Sequence, residues 1–156
     1  MCAGAVTIPS MAVSVEVTVE RPPGQVFEVV ARGERLPEWM GNFERVEQAS
    51  EGPPALGTEY RFKMRRTPES TFEWSEFEPG RRVAFSGPPL RTGPGSLEPR
   101  GAIDVELADG GSLVRVTLDS VLRGAIRLLM PIMRRSMRNG AFQNVSRLKT
   151  LLERHP

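Results

Sequence analysis

Only one stretch of this chain is long enough to cover an apolar sheet, and it comes last. From about Ala125 to Glu153, Ile126, Met130, Met133, Met137, Ala141, Asn144, Leu148 and Leu151 recur at spacings of three and four. That period places them on one face of a helix, roughly 40 Å long at the usual rise per residue. Pro131 either starts this helix or kinks it, because proline has no backbone N–H to donate in mid-helix. The segments that precede it are short and alternate with period two. Val13, Val15, Val17 and Val19 fall on one face, opposite Ser14, Glu16, Thr18 and Glu20. Thr58, Tyr60, Phe62 and Met64 likewise oppose Glu59, Arg61, Lys63 and Arg65. Such alternation marks strands with one buried face, and each of those faces needs a cover.

The punctuation between segments sets the order of elements. Arg21-Pro22-Pro23-Gly24 ends the first strand and opens a helix striped by Val26, Phe27, Val29 and Val30, since proline is tolerated in a first helical turn. A second short helix is expected around Leu36–Met40, with Pro37 near its start. Strands are expected at Phe43–Ala49, Thr58–Arg65, Thr71–Glu78 and Arg82–Ser86. The Gly- and Pro-rich stretch Leu90–Pro99 reads as a long loop. Ala102–Ala108 and Ser112–Val121 flank Asp109-Gly110-Gly111, a hairpin signal. Ile103, Val105 and Leu107 share one face of this hairpin, as do Val114, Val116 and Leu118. The expected fold is α+β: an antiparallel meander of about six to seven strands, two short helices after the first strand, and a long C-terminal helix under the curved sheet. Residues 1–10 are expected to form a loose leader without signal-peptide character, and 11–155 a single domain.

Composition removes much chemistry. The single cysteine is Cys2 and the single histidine is His155. No internal disulfide can form, which points to a reducing cytoplasm. Zinc sites of Cys and His ligands, and Ser–His or Cys–His dyads, are disfavoured. No metal or cofactor is expected. A formal net charge of +2 is weak support for nucleic acid, and none is expected as a partner. No apolar run approaches the ~20 residues of a membrane-spanning helix.

Several motifs resemble the helix-grip fold of the START/birch-pollen-allergen superfamily, often called SRPBCC. They are Val17-Thr18-Val19-Glu20-Arg21-Pro22-Pro23-Gly24-Gln25-Val26-Phe27, Leu36-Pro37-Glu38-Trp39-Met40, Gly57-Thr58, Glu76-Phe77-Glu78-Pro79-Gly80-Arg81-Arg82-Val83-Ala84-Phe85, and the closing Leu148-Lys149-x-Leu151-Leu152-Glu153. The resemblance spans 11–153 and is strongest to the polyketide cyclase/dehydrase group. It implies a ligand cavity between sheet and helix. The motifs are signatures of fold, so they leave the use of that cavity open.

The resemblance makes a cavity wall of the residues that alternation turns inward, Tyr60, Phe62, Met64, Phe72, Trp74 and Phe85, and of Met133, Met137 and Asn144 on the helical stripe, with Trp39 and Met40 at the mouth. The same residues could simply fill a core, and Trp39 could anchor its short helix. Methionines tilt the choice towards a pocket, because they adapt to irregular apolar shapes. Access would lie between the long helix and Gly87–Pro99. For catalysis the candidates are Glu76, Tyr60 and Asn144. Strict alternation turns Glu76 inward, where burial would raise its pKa; a β-bulge would instead place Phe77 inside and Glu76 in water. Asn144 could bond a ligand or cap a neighbouring backbone group. Arg123 and Arg127 could meet an anionic ligand group, although a solvated face is the simpler reading. Ile126–Met137, apolar with interspersed arginines, would also suit a membrane surface, but the stripe continues into Leu148 and Leu151, which suits a core cover better. The sequence thus expects a small hydrophobic ligand, with a polyketide cyclase or dehydratase, or a protein- or membrane-interaction module, as alternatives. It leaves monomer or homodimer open.

Overall fold

The computed structural model describes residues 10–65, 67–93 and 95–154. Strand β1 (Ser10–Val19) leads into α1 (Pro23–Val30) and a short 3-10 helix, Gly33–Glu38. Strands β2 (Phe43–Gln48), β3 (Glu59–Met64), β4 (Ser70–Glu78), β5 (Arg82–Ser86), β6 (Leu90–Thr92), β7 (Gly95–Glu98), β8 (Arg100–Ala108) and β9 (Gly111–Gly124) follow. A 3-10 turn, Ala125–Leu129, then opens α2 (Met130–Arg154). This is the helix-grip α+β fold: one antiparallel sheet with a long C-terminal helix lying along β1.

Among the described residues nine strands lie in seven lanes. Strands β7 and β8 face β9 in a single register, with Glu98 opposite Val121 and Gly101 opposite Leu118. Pro99 interrupts one long strand here, because it cannot donate to the ladder. Its carbonyl still accepts the Gly87 N–H at 3.1 Å. Strand β6 takes over the lane of β5 and pairs β7. The expected loop Leu90–Pro99 is therefore a hairpin, held by the extension of β9 to Gly124. Two other expectations are corrected. The second short helix is a 3-10 turn that starts at Gly33 and carries Pro37 near its end. The first strand begins at Ser10, inside the expected leader; residues 1–9, with Cys2, and also His155 lie outside the described residues.

Local chemistry accounts for the ends. Pro23 opens α1, which buries Val26, Phe27, Val29 and Val30. Pro131 is the second residue of α2 and starts the helix without kinking it. Between β8 and β9 the chain turns through Asp109-Gly110, with Gly110 at φ 78°, as a two-residue hairpin demands. Leu107, expected on the inner face, is 82% exposed beside that turn.

The C-terminal half of α2 is clamped down. Ala141, Val145, Leu148 and Leu152 are buried against the sheet, a face centred one position away from the expected Asn144–Leu151 edge. Lys149 Nζ donates to Thr18 O at 2.7 Å, and Glu153 Oε2 accepts the Glu20 N–H at 3.0 Å. That N–H, with Lys149 beside it, holds the Glu153 carboxyl below its ordinary value.

Candidate functional site

The inner face of the sheet divides into a sealed end and an open end. At the sealed end Tyr60 stacks on Phe72 with centroids 5.0 Å apart, and Trp74 meets Tyr60 edge-on at 5.6 Å and Phe72 at 5.7 Å. Phe62 and Phe43 complete the cluster. The Trp74 indole N–H is shared between Ala31 O at 3.1 Å and the Tyr60 oxygen at 3.2 Å. Trp39, Tyr60 and Trp74 expose no surface at all. A side chain that no water-sized probe touches lines no space that could hold even a water. Phe62, Phe72 and Met40 are nearly as closed, at 3%, 4% and 6%. These six expected wall residues are packed core. Gly33 shows how tight the packing is: a Cβ there would lie 2.5–2.7 Å from three atoms of the Tyr60 ring.

At the open end, Met133 and Met137 are half-buried, together with Met130. Met130, Met133, Met137 and Leu97 pack on Leu122 and Ile126 in a second, small apolar cluster. Met137 also touches the main core, as do Phe85, Leu118 and Met64. Phe85, Gly101 and Leu118 lie side by side across β5, β8 and β9. Gly101 leaves room for the Phe85 ring, since a Cβ there would approach it to 2.7 Å. Arg134 lies seven residues before Ala141 and so continues the buried stripe of α2, yet it is exposed. The N-terminal half of the helix is therefore less deeply buried than its C-terminal half. Leu97, Leu118 and Met130 were outside the expected wall. Leu118 and Met130 showed the right periodicity, whereas Leu97 was hidden in the stretch read as a loop.

Two surface hollows flank α2. One of about 380 Å³ is bounded by Val15, Arg138, Asn139, Phe142 and Gln143. The other, about 410 Å³, lies between the helix and Glu38. Both are open grooves at the surface.

The expected catalytic candidates are scattered. The pairing of β4 with β5 slips between Trp74 and Glu76. This bulge puts Phe77 against Phe27, edge-on at 5.5 Å, and turns Glu76 out into solvent. There Glu76 Oε2 accepts Arg82 Nε at 2.6 Å, and Arg82 Nη1 reaches both oxygens of Asp104 at 2.8 and 2.9 Å. The two carboxylates, Glu76 foremost, raise the guanidinium above its ordinary value. Glu76→Gln should cost about 0.5 kcal/mol of stability in urea denaturation, as for other exposed ion pairs, and leave ligand affinity unchanged. Loss of ligand binding in this variant would refute the outward placement. Burial pushes the Tyr60 phenol up, opposed by the N–H groups of Gly33 and Trp74, so it stays neutral in the sealed core. Asn144 Oδ1 accepts the Gly41 N–H at 3.2 Å and ties α2 to the turn before β2. The Trp39 indole N–H is buried and has no acceptor among the described residues.

The sheet, its helix and the uneven closure between them are the context for comparison. The model of the family described as polyketide cyclase / dehydrase and lipid transport matches residues 10–153. The chain belongs to this family. No curated protein matches the chain in sequence. Solved structures extend the likeness of fold. The Zhui aromatase/cyclase from Streptomyces sp. R1128 is 19% identical, with TM-score 0.70 over 94% of this chain and 95% of that one. Protein MLL2253 from Mesorhizobium loti is 17% identical, with TM-score 0.72 over 93% and 98%. Ara h 8.0201 is 16% identical, with TM-score 0.68 over 94% and 100%. At these identities the likeness is one of fold, consistent with the wider SRPBCC superfamily. Among the described residues no helix of this family member is long and apolar enough to cross a membrane, and no three His, Cys, Asp or Glu side chains gather as a metal site requires.

Proposed function

We propose that this protein binds a small hydrophobic molecule at the open end of the grip, where Met130, Met133 and Met137 of α2 and Leu97 of β7 surround Leu122 and Ile126. The observation that carries this reading is the half-burial of three methionines on a stripe that is fully buried further along the same helix. Unbranched thioethers repack at little cost, so the helix can accept a flat or elongated ligand without disturbing the clamped end. Affinity would come from apolar surface removed from water, at about 25 cal/mol per Å². The fold-level likeness to an aromatase/cyclase keeps polyketide-like, aromatic and lipid-like molecules as candidates.

Binding is favoured over catalysis by the fate of the polar candidates. Glu76 is on the outer face, the Tyr60 phenol is sealed, and the Asn144 oxygen is engaged by Gly41. None is poised beside the methionines as an acid or base must be. Titration with N-phenyl-naphthylamine and with a long-chain fatty acid tests the reading. The expected result is saturable fluorescence with a rise in melting temperature, equivalent to about 2.7 kcal/mol at a hundredfold excess over Kd. An unchanged melting temperature and a non-saturating signal with both probes would overturn it.

A further inference from the structure

Four of the six large hydrophobic residues exposed among the described residues lie close together in sequence. They are Leu128 at 84%, Leu129 at 47%, Ile132 at 71% and Phe142 at 62%. Leu128 and Leu129 precede Ile132 by four and three residues where the 3-10 turn runs into α2, and so lie on its side of the helix. Ile132 precedes Ala141 by nine residues, half a revolution around the helix, so this face points away from the core. Ligand binding on the inner side does not account for it.

The charge around it is one-sided. Between Asp119 and Glu153 the chain has no acidic residue, but it has Arg123, Arg127, Arg134, Arg135, Arg138, Arg147 and Lys149. The five arginines from Arg123 to Arg138 are exposed. None forms an ion pair among the described residues, and the Arg134 guanidinium meets only the Met130 sulfur, at 4.0 Å.

We infer that this tip docks on an anionic lipid surface, with Leu128, Leu129 and Ile132 entering the acyl boundary and the arginines meeting the headgroups. The combination of an aliphatic ridge and flanking unpaired cations is what interfacial helices use. A second copy of this chain is disfavoured, because it would set five arginines against five. A protein partner is a poorer match, because leucine-type anchors are under-represented at protein hot spots and a projecting ridge requires a matching groove. A fluid bilayer needs none. The surface stands independently of the ligand reading.

The test is co-sedimentation of the full chain with vesicles of phosphatidylcholine alone and of phosphatidylcholine doped with phosphatidylglycerol. Binding is expected only to the anionic vesicles, and to weaken as salt rises. The double substitution Leu128→Ser, Ile132→Ser should weaken partitioning at least about tenfold, the effect of withdrawing two aliphatic anchors. Arg127→Glu with Arg135→Glu should abolish the anionic preference. Both variants should keep the wild-type circular dichroism and melting temperature, since the altered side chains are in water. Four results would overturn the inference: no sedimentation of the wild type, equal sedimentation with neutral vesicles, wild-type partitioning of the Ser variant, or a dimer that the Ser variant dissociates.

Discussion

Trp74→Ala should lower the stability of this protein by about 3–5 kcal/mol, the usual cost of truncating a buried Trp or Phe. Trp74 is fully closed from solvent and touches the rings of Tyr60 and Phe72. Truncation leaves a cavity between these rings that the two flanking strands cannot collapse, since Tyr60 is already wedged against Gly33. It also removes the donor to Ala31 O and one of the two donors to the Tyr60 oxygen, at the cost of leaving a buried acceptor unpaired. At about 2–4 °C per kcal/mol for a chain of this length, the melting temperature should fall by about 6–20 °C. Trp74→Phe keeps a ring and loses the donor, and should cost about 1–2 kcal/mol. Calorimetry or urea denaturation reads both. A loss under about 1 kcal/mol for the alanine variant would mean that the aromatic cluster is a loose cavity wall and not packed core.

Met137→Asp should act in the opposite way, on affinity more than on stability. Among the described residues Met137 is the one methionine that packs on both apolar clusters, so a bound molecule at the open end would touch it on either side. A carboxylate there removes about 1.5–3 kcal/mol of apolar contact, which is about a ten- to hundredfold rise in Kd. The side chain is only half-buried, and its new charge can turn to water, so the unliganded protein should lose about 1 kcal/mol or less. Isothermal titration and thermal denaturation of the same variant separate the two effects. Unchanged affinity with intact folding would place the ligand elsewhere.

Most of the fold was legible in the sequence because period-two alternation and turn chemistry are local signals. The valines of β1, the Tyr60–Phe62 face of β3 and the Asp109-Gly110 hairpin all fold as their patterns dictate. The β6–β7 hairpin was illegible for the converse reason. Its Gly- and Pro-rich residues carry little strand propensity, and the pairing is supplied from outside by the last residues of β9. At Glu76 the sequence allowed two registers, and the bulge was selected by Phe77 finding Phe27.

The site was less legible, because alternation names a face without saying whether the space beside it is filled. Tyr60, Phe72 and Trp74 were rightly placed inside, but they seal the interior. Met133 and Met137 share the periodicity of Ala141 and Leu148, and nothing in that period distinguishes the half of α2 that is fully buried from the half that is only half-buried. The difference goes with tertiary ties at the C-terminal end, such as Lys149 to Thr18 and Glu153 to Glu20.

The central claim is that a ligand enters at the methionine end and leaves the aromatic core closed. Methyl-labelled methionine NMR tests it directly, since the chain has seven methionines and Met40, in the sealed core, is a built-in control. On titration with N-phenyl-naphthylamine, the methyl resonances of Met130, Met133 and Met137 should move together and saturate at the Kd seen by fluorescence, while that of Met40 stays fixed. A shift of Met40 with the three helical methionines unmoved would contradict the account and return the ligand to the aromatic end of the sheet.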